Sequence, residues 1–148
     1  MLNISNIFTG RYKLIKIFSK LHLFILNKFN NKYLNNLLGM PVLILFTIGR
    51  KTKKERSAPL VYFDIDNSYV IVASNGGNPN DPNWFKNLIS KKTVKIKIAY
   101  DILECKYEIL NNEYRKEVWN KIIKIYPKYV EYQNLSNRII PLVRLYKI

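Results

Sequence analysis

The chain has 148 residues, 25 Lys and Arg against 10 Asp and Glu, a formal net charge of +15, and 48% apolar side chains. That length makes one domain with a real core, and that apolar share argues against disorder. One cysteine (Cys105) and one histidine (His22) exclude a disulfide scaffold, a Cys-based zinc site and any two-His motif, and a reducing, cytoplasmic location is expected.

The charge is uneven. Residues 1–60 carry 11 basic side chains and one acid, Glu55, whereas the remaining 88 carry 14 and 9. A surface this basic calls for an anionic partner: nucleic acid, a lipid surface or a phosphorylated ligand. Nucleic acid is the weakest of these, because aromatics do not interleave with a basic stripe and no nucleic-acid motif is present. No run of about 18 apolar residues suggests a membrane span, and the N-terminus has no small-residue cleavage pattern.

In chain order, residues 11–29 read as an amphipathic helix. Leu14, Phe18, Leu21 and Ile25 repeat at helical spacing, and Lys13, Lys16 and Lys20 fall on the opposite face. Such a helix either packs on the domain with a solvated basic edge or lies in an anionic membrane interface, on its inner face. Asn30–Met40 is polar and reads as a short helix or loop. Pro41–Gly49 is a continuous apolar run that ends at glycine and suits a buried strand. Ser57–Asp64 and Tyr69–Ser74 are two more β stretches, with hairpin-turn residues between them. A helix over Asp81–Ser90 follows, with Asp81 as its cap and Pro82 at its first position.

Thr93–Tyr100 and Leu103–Ile109 both alternate and form a hairpin about Asp101, with Leu103, Cys105, Tyr107 and Ile109 on the apolar side. Cys105 is therefore a small core residue. A helix over Asn112–Ile125 shows Tyr114, Val118 and Ile122 on one face. Tyr126–Asn134 is aromatic and irregular, and Ile139–Tyr146 is the last strand. The fold class is α+β, mainly β: about six mostly antiparallel strands closing into a barrel, with flanking helices and the N-terminal amphipathic helix. Residues 1–38 form the basic helical segment and 39–148 the barrel domain.

Four constellations carry chemistry. Gly49-Arg50-Lys51-Thr52-Lys53-Lys54-Glu55-Arg56 places five cations on one turn. It is either a hairpin tip charged for solubility or an anion clamp, in which backbone N–H groups and the forks of Arg50 and Arg56 meet phosphate or carboxylate oxygens. Ala73-Ser74-Asn75-Gly76-Gly77 ends a hydrophobic strand where glycines permit a sharp turn and close approach of a flat ligand. Trp84, Phe85 and Leu88 pack a short helix on the sheet, which leaves Asn87 near a buried surface and in need of partners. Tyr126, Tyr129 and Tyr132, at i, i+3 and i+6, give one aromatic face if their segment is helical; they serve either core packing or a planar redox partner. No carboxylate pair, Ser–His–Asp set or metal cluster is evident, so no metal is expected.

The blocks GMPVLILFTIGRKTKKERSAPLVYF, VIVASNGGNPNDPNWFKNL, the alternating hairpin and WNKIIKIYPKYVEYQNLSNRIIPLVRL, in that order, resemble the deazaflavin (F420)-dependent nitroreductase family. The resemblance covers roughly residues 39–146 and implies a split β-barrel, coenzyme F420 as cofactor, and hydride transfer to a quinone or nitro compound. It implies that Arg50, Lys51, Thr52 and Arg56 grip the cofactor's phosphate and oligoglutamate tail. Pro59, Ala73, Ser74, Asn75, Gly76, Trp84 and Asn87 would complete the cofactor site. Ser74, Tyr126, Tyr129 and Tyr132 would act on the acceptor. The family usually has glycine where Lys53 stands and often lysine where Asn75 stands. The alternative is a non-catalytic split barrel that binds another flavin such as FMN, a lipid-like ligand or an anionic polymer.

Overall fold

The structure, a computed structural model, describes residues 36–37 and 39–148. The amphipathic segment 11–29 and most of the segment 1–38 lie outside the described residues. Asn36–Leu37, expected as helix or loop, is a short strand β1 that pairs with the start of β2 across a turn at Gly39.

Six strands close the barrel: β2 (Met40–Ile48), β3 (Glu55–Ile65), β4 (Ser68–Val72), β5 (Thr93–Ile98), β6 (Asp101–Ile109) and β7 (Leu142–Lys147). Their order is β2-β3-β4-β7-β6-β5, every pairing is antiparallel, and β5 returns to β2 through Ile44↔Lys97, Leu45↔Ile96 and Phe46↔Lys95. The β5–β2 pairing closes the sheet on itself, while β3 has a second strand neighbour, β4, only over Tyr62–Ile65. The β3–β4 turn is Asp66-Asn67, with φ of 52° and 56°, the two-residue turn whose twist matches the strands.

Alternation sorts side chains into two cores. Leu43, Leu45, Ile71, Ala73, Val94, Ile96, Cys105, Val143 and Leu145 point inward, and all are buried. Burial raises the Cys105 thiol pKa above its ordinary value, which suits a packing residue. Val70, Val72 and Leu142 alternate outward and meet Val118 and Ile122 of α2 (Asn112–Ile125) and Tyr129 of α3 (Lys128–Leu135) in a second core. The short helix α1 (Asn83–Leu88) caps one end of the barrel, inserting Phe85 and Leu88 into the inner core.

Several expectations change. Asp81 does not cap α1: the helix starts at Asn83 with Pro82 at its N-cap, and the Asp81 carboxylate pairs instead with Arg138, at 2.8 Å. The Tyr126 segment is not irregular. Pro127, with φ −58°, leads into a regular helix, whose pattern was masked because aromatic and polar residues share its faces. Ile139 does not open the last strand; it is 74% exposed, and the strand begins at Leu142. Ile109, expected on the apolar side, is exposed although its cross-strand partner Val143 is buried in the inner core.

Candidate active site

Antiparallel pairing decides where the candidate residues meet. β2 runs toward Ile48, β3 runs away from Glu55, β4 runs toward Val72 and β7 runs away from Leu142, with Ile48↔Glu55 and Val72↔Leu142 in register. The turn at residues 49–54, the loop at 73–82, α1 and the segment 136–141 therefore all lie at one end of the barrel. Residues nearly 90 positions apart share one mouth because four strands alternate direction.

The basic turn is closed by two backbone bonds, Gly49 N–H to Lys54 O and Lys53 N–H to Gly49 O, both 2.8 Å. A Cβ on Gly49 would stand 2.6 Å from Thr52 Oγ1 and 3.3 Å from Lys54 O, so a side chain there would have to displace Thr52. Lys53 sits at φ 56°, a left-handed conformation that glycine adopts without steric cost. Arg50, Lys51, Thr52, Lys53, Lys54 and Arg56 are all exposed. Arg56 Nη2 donates to Thr52 Oγ1 at 3.3 Å, and Arg50 Nη1 to Asn83 Oδ1 at 3.5 Å. Among the described residues, no ion pair neutralises these cations.

Asn87 ties this turn to the barrel. It is only 6% exposed; its Oδ1 accepts the Arg50 backbone N–H at 3.1 Å, and its Nδ2 donates to Thr47 Oγ1 at 3.5 Å. The partners that a buried amide needs are thus the turn and the end of β2. Thr47, also 6% exposed, is the lone hydroxyl in an apolar strand, a sequence signal that the motif reading passed over. Beside them, where β2 and β5 part, a cavity of about 240 Å³ opens between Thr47, Ile48, Glu55, Asn87, Lys91 and Lys95. Pro59 of β3 pairs with Ile44 of β2, at a point where the other side of β3 has no strand neighbour.

The second segment is wound tightly. Ala73 N–H donates to Pro141 O at 2.9 Å, and there β4 leaves the sheet. Asn75, Gly76 and Gly77 follow with φ of 50°, 63° and 81°. Asn75 Nδ2 donates to Asn80 O at 2.8 Å. A Cβ on Gly77 would lie 3.0 Å from both Tyr132 O and Leu135 Cβ, so the loop rests directly on α3. Ser74 and Asn75 are half-buried at this junction, and Trp84 packs edge-on to Phe85, 6.0 Å between centroids.

The tyrosines form one cluster. Tyr129 is 7% exposed and meets Tyr126 at 5.1 Å, Tyr132 at 5.9 Å and Phe63 at 6.1 Å between centroids. Burial, then its two tyrosine neighbours, drives the Tyr129 pKa well above the ordinary phenol value, so it stays neutral. Tyr126 and Tyr132 are half-buried at the rim of this cluster. The sequence reading missed Arg138, which joins the loop to the segment after α3. Its contacts lie 57 to 65 positions away, beyond any local pattern.

A closed antiparallel barrel, with un-neutralised cations and a glycine loop at one mouth, defines a split β-barrel protein. The profile of the family described as F420H(2)-dependent quinone reductase matches residues 19–146. An F420H(2)-dependent quinone reductase of Mycobacterium tuberculosis (strain H37Rv) is 31% identical over 109 residues, covering 71% of this chain and 72% of the relative. The solved F420-H2 dependent reductase FDR-A is 32% identical with a TM-score of 0.64, over 72% of this chain and 94% of that one. A solved domain-swapped dimer is 27% identical with a TM-score of 0.65, over 93% and 96%. The chain belongs to the F420H(2)-dependent quinone reductase family, oxidoreductases whose reduced cofactor is F420H2. The residues fit that cofactor's chemistry: five exposed cations without carboxylate partners among the described residues suit a polyanionic tail. Among the described residues, no helix is long and apolar enough to cross a membrane.

Proposed function

We propose that this chain transfers a hydride from F420H2 to a quinone- or nitroaromatic-like acceptor at the mouth formed by the basic turn, the Ala73–Asp81 loop and the tyrosine cluster. The observation that carries the reading is the convergence of an un-neutralised cationic turn and a glycine loop at one barrel end.

When bound, the cofactor supplies the hydride and the redox chemistry; the protein supplies binding, orientation and electrostatics. Arg50, Lys51, Thr52 and Arg56 hold the anionic tail. Asn87 holds Arg50's backbone in place for that task. Pro59, Ala73, Ser74, Asn75, Gly76 and Trp84 border the ring, where the glycines allow close approach. The acceptor stacks against Tyr126 and Tyr132, whose rings Tyr129 props from within the core. Negative charge arriving on the acceptor oxygen meets the hydroxyls of Ser74 and Tyr132, and one well-aimed donor is worth on the order of 10²-fold in rate. Tyr129, neutral and buried, acts on the acceptor through those neighbours. Residues 11–29, with Lys13, Lys16 and Lys20 on one face, would bring the barrel to an anionic membrane that carries a lipophilic quinone.

The test is titration of the purified protein with F420 and with FMN, followed by F420H2 oxidation with menadione and with a nitroaromatic compound. F420 binding with quinone-dependent oxidation is expected. Tight FMN binding without F420 binding would reject the reading. Co-sedimentation with anionic vesicles should be lost when residues 1–30 are deleted; equal sedimentation would remove the membrane contact.

A further inference from the structure

Arg138 stands where β4, the glycine loop and the start of α1 must be held together. Its Nη2 donates to Ala73 O at 2.9 Å and to Ser74 O at 3.1 Å, its Nε donates to Asn78 O at 3.3 Å, and its Nη1 pairs with the Asp81 carboxylate at 2.8 Å. The side chains of both charged residues are largely covered, at 17% and 31% exposure. One guanidinium therefore spans the whole loop, from the last residue before it turns to the residue before Pro82.

The geometry gives that span a purpose. Beyond the Ala73 N–H···O Pro141 bond the sheet ends, so the Ala73 and Ser74 carbonyls have no strand to accept from; Ser74 O takes the Gly77 N–H at 3.0 Å besides Arg138, and Ala73 O takes Arg138. The next three residues are all left-handed, one of them the non-glycine Asn75. Such a run persists only when its surroundings over-determine it. Gln133 of α3 completes the frame: its Nε2 donates to Arg138 O at 2.7 Å and its Oε1 accepts the Ile140 N–H at 3.0 Å. Arg138 is thus fixed at its backbone by the tyrosine helix and at its tip by the loop.

We propose that Arg138, with Asp81 as its counter-ion, is the positioning residue of the active site: it sets the exit of Ser74 from β4 and so the aim of the Ser74 side chain toward cofactor ring and acceptor. This rests on the functional reading above. Arginine is required because the acceptors lie in different directions. A guanidinium offers five donors in a planar fork, whereas a lysine ammonium is one compact charge that cannot reach all of them.

The experiment compares wild type with Arg138→Lys, Arg138→Ala and Asp81→Asn in full-length protein. Hydrogen exchange of peptides spanning residues 73–81 is read without cofactor, alongside F420 affinity, and kcat and KM with menadione. Arg138→Lys and Arg138→Ala should speed exchange in 73–81 while the β2, β5 and β6 peptides stay protected. They should lower kcat by about 10- to 100-fold, the scale of a slightly misaimed group, with F420 affinity within about threefold. Millimolar guanidinium should restore part of kcat in Arg138→Ala, and Asp81→Asn should show a smaller loss. Unchanged exchange at 73–81 in Arg138→Ala overturns the inference, as does a kcat loss that guanidinium does not rescue and that tracks global loss of protection. Absence of F420H2 turnover in wild type overturns the functional reading instead and is seen separately, because the exchange experiment needs no cofactor.

Discussion

The turn at residues 49–54 and the loop at 73–82 stand at the same barrel end and are built in opposite ways. The turn is exposed, closed by backbone bonds, and tied to the body chiefly through Asn87. The loop is clamped by Arg138 and rests on α3, with Gly77 against Tyr132 O and Leu135 Cβ. Charges left in water keep their affinity for an incoming anion, whereas groups that must point accurately need a rigid frame. The pairing of a loose electrostatic grip with an over-determined pointing device is what a site needs when binding and chemistry occur on different parts of one coenzyme.

The comparison can be broken at either region. The largest effect is expected from Arg50→Ala combined with Arg56→Ala: F420 binding should weaken by about 2–5 kcal/mol in total while folding stability moves by less than about 0.5 kcal/mol. Fluorescence titration and thermal melts decide, and undiminished affinity would refute the clamp. Gly77→Ala should do the reverse, destabilising the fold by about 2–4 kcal/mol in denaturant melts, because a Cβ meets Tyr132 O and Leu135 at a φ of 81°. A variant as stable as wild type would mean that the loop is not confined by α3.

The third test reads the frame through pH. Tyr129's phenol pKa is raised by burial, so the unfolded chain releases that proton first. Its contribution is complete below about pH 10 and is lost as pH rises further, by about 1.4 kcal/mol per pH unit. Denaturation between pH 9 and 11 should be less steep in pH for Tyr129→Phe, with the slope from Tyr62 and Tyr114, shifted the same way, remaining. The smallest effect is Lys53→Gly, which relieves a left-handed lysine and should stabilise the protein by about 0.5–1 kcal/mol, at a slight cost in cofactor affinity. A loss of stability would show that Lys53 makes a compensating contact.

Much of the barrel was legible because its signals are local. Alternation in Thr93–Ile98 and Asp101–Ile109, the apolar run of β2 and the Asp66-Asn67 turn each carry their own physics. The basic turn and the glycine pair were legible for the same reason. Asp81 misled because a carboxylate before a helix looks like a cap until a guanidinium from 57 positions away takes it. The tyrosine helix was hidden because its burial is carried by one residue, Tyr129, too few to make a period.

By itself the sequence determined strand alternation, turn chemistry, the excess of cations on one turn and the family, since all of these depend on neighbours within a few residues or on the order of motifs. Only the tertiary structure decided that the turn, the loop, α1 and the Arg138 segment share one mouth. That choice belongs to antiparallel register and barrel closure, which join residues far apart in the chain and leave no local trace.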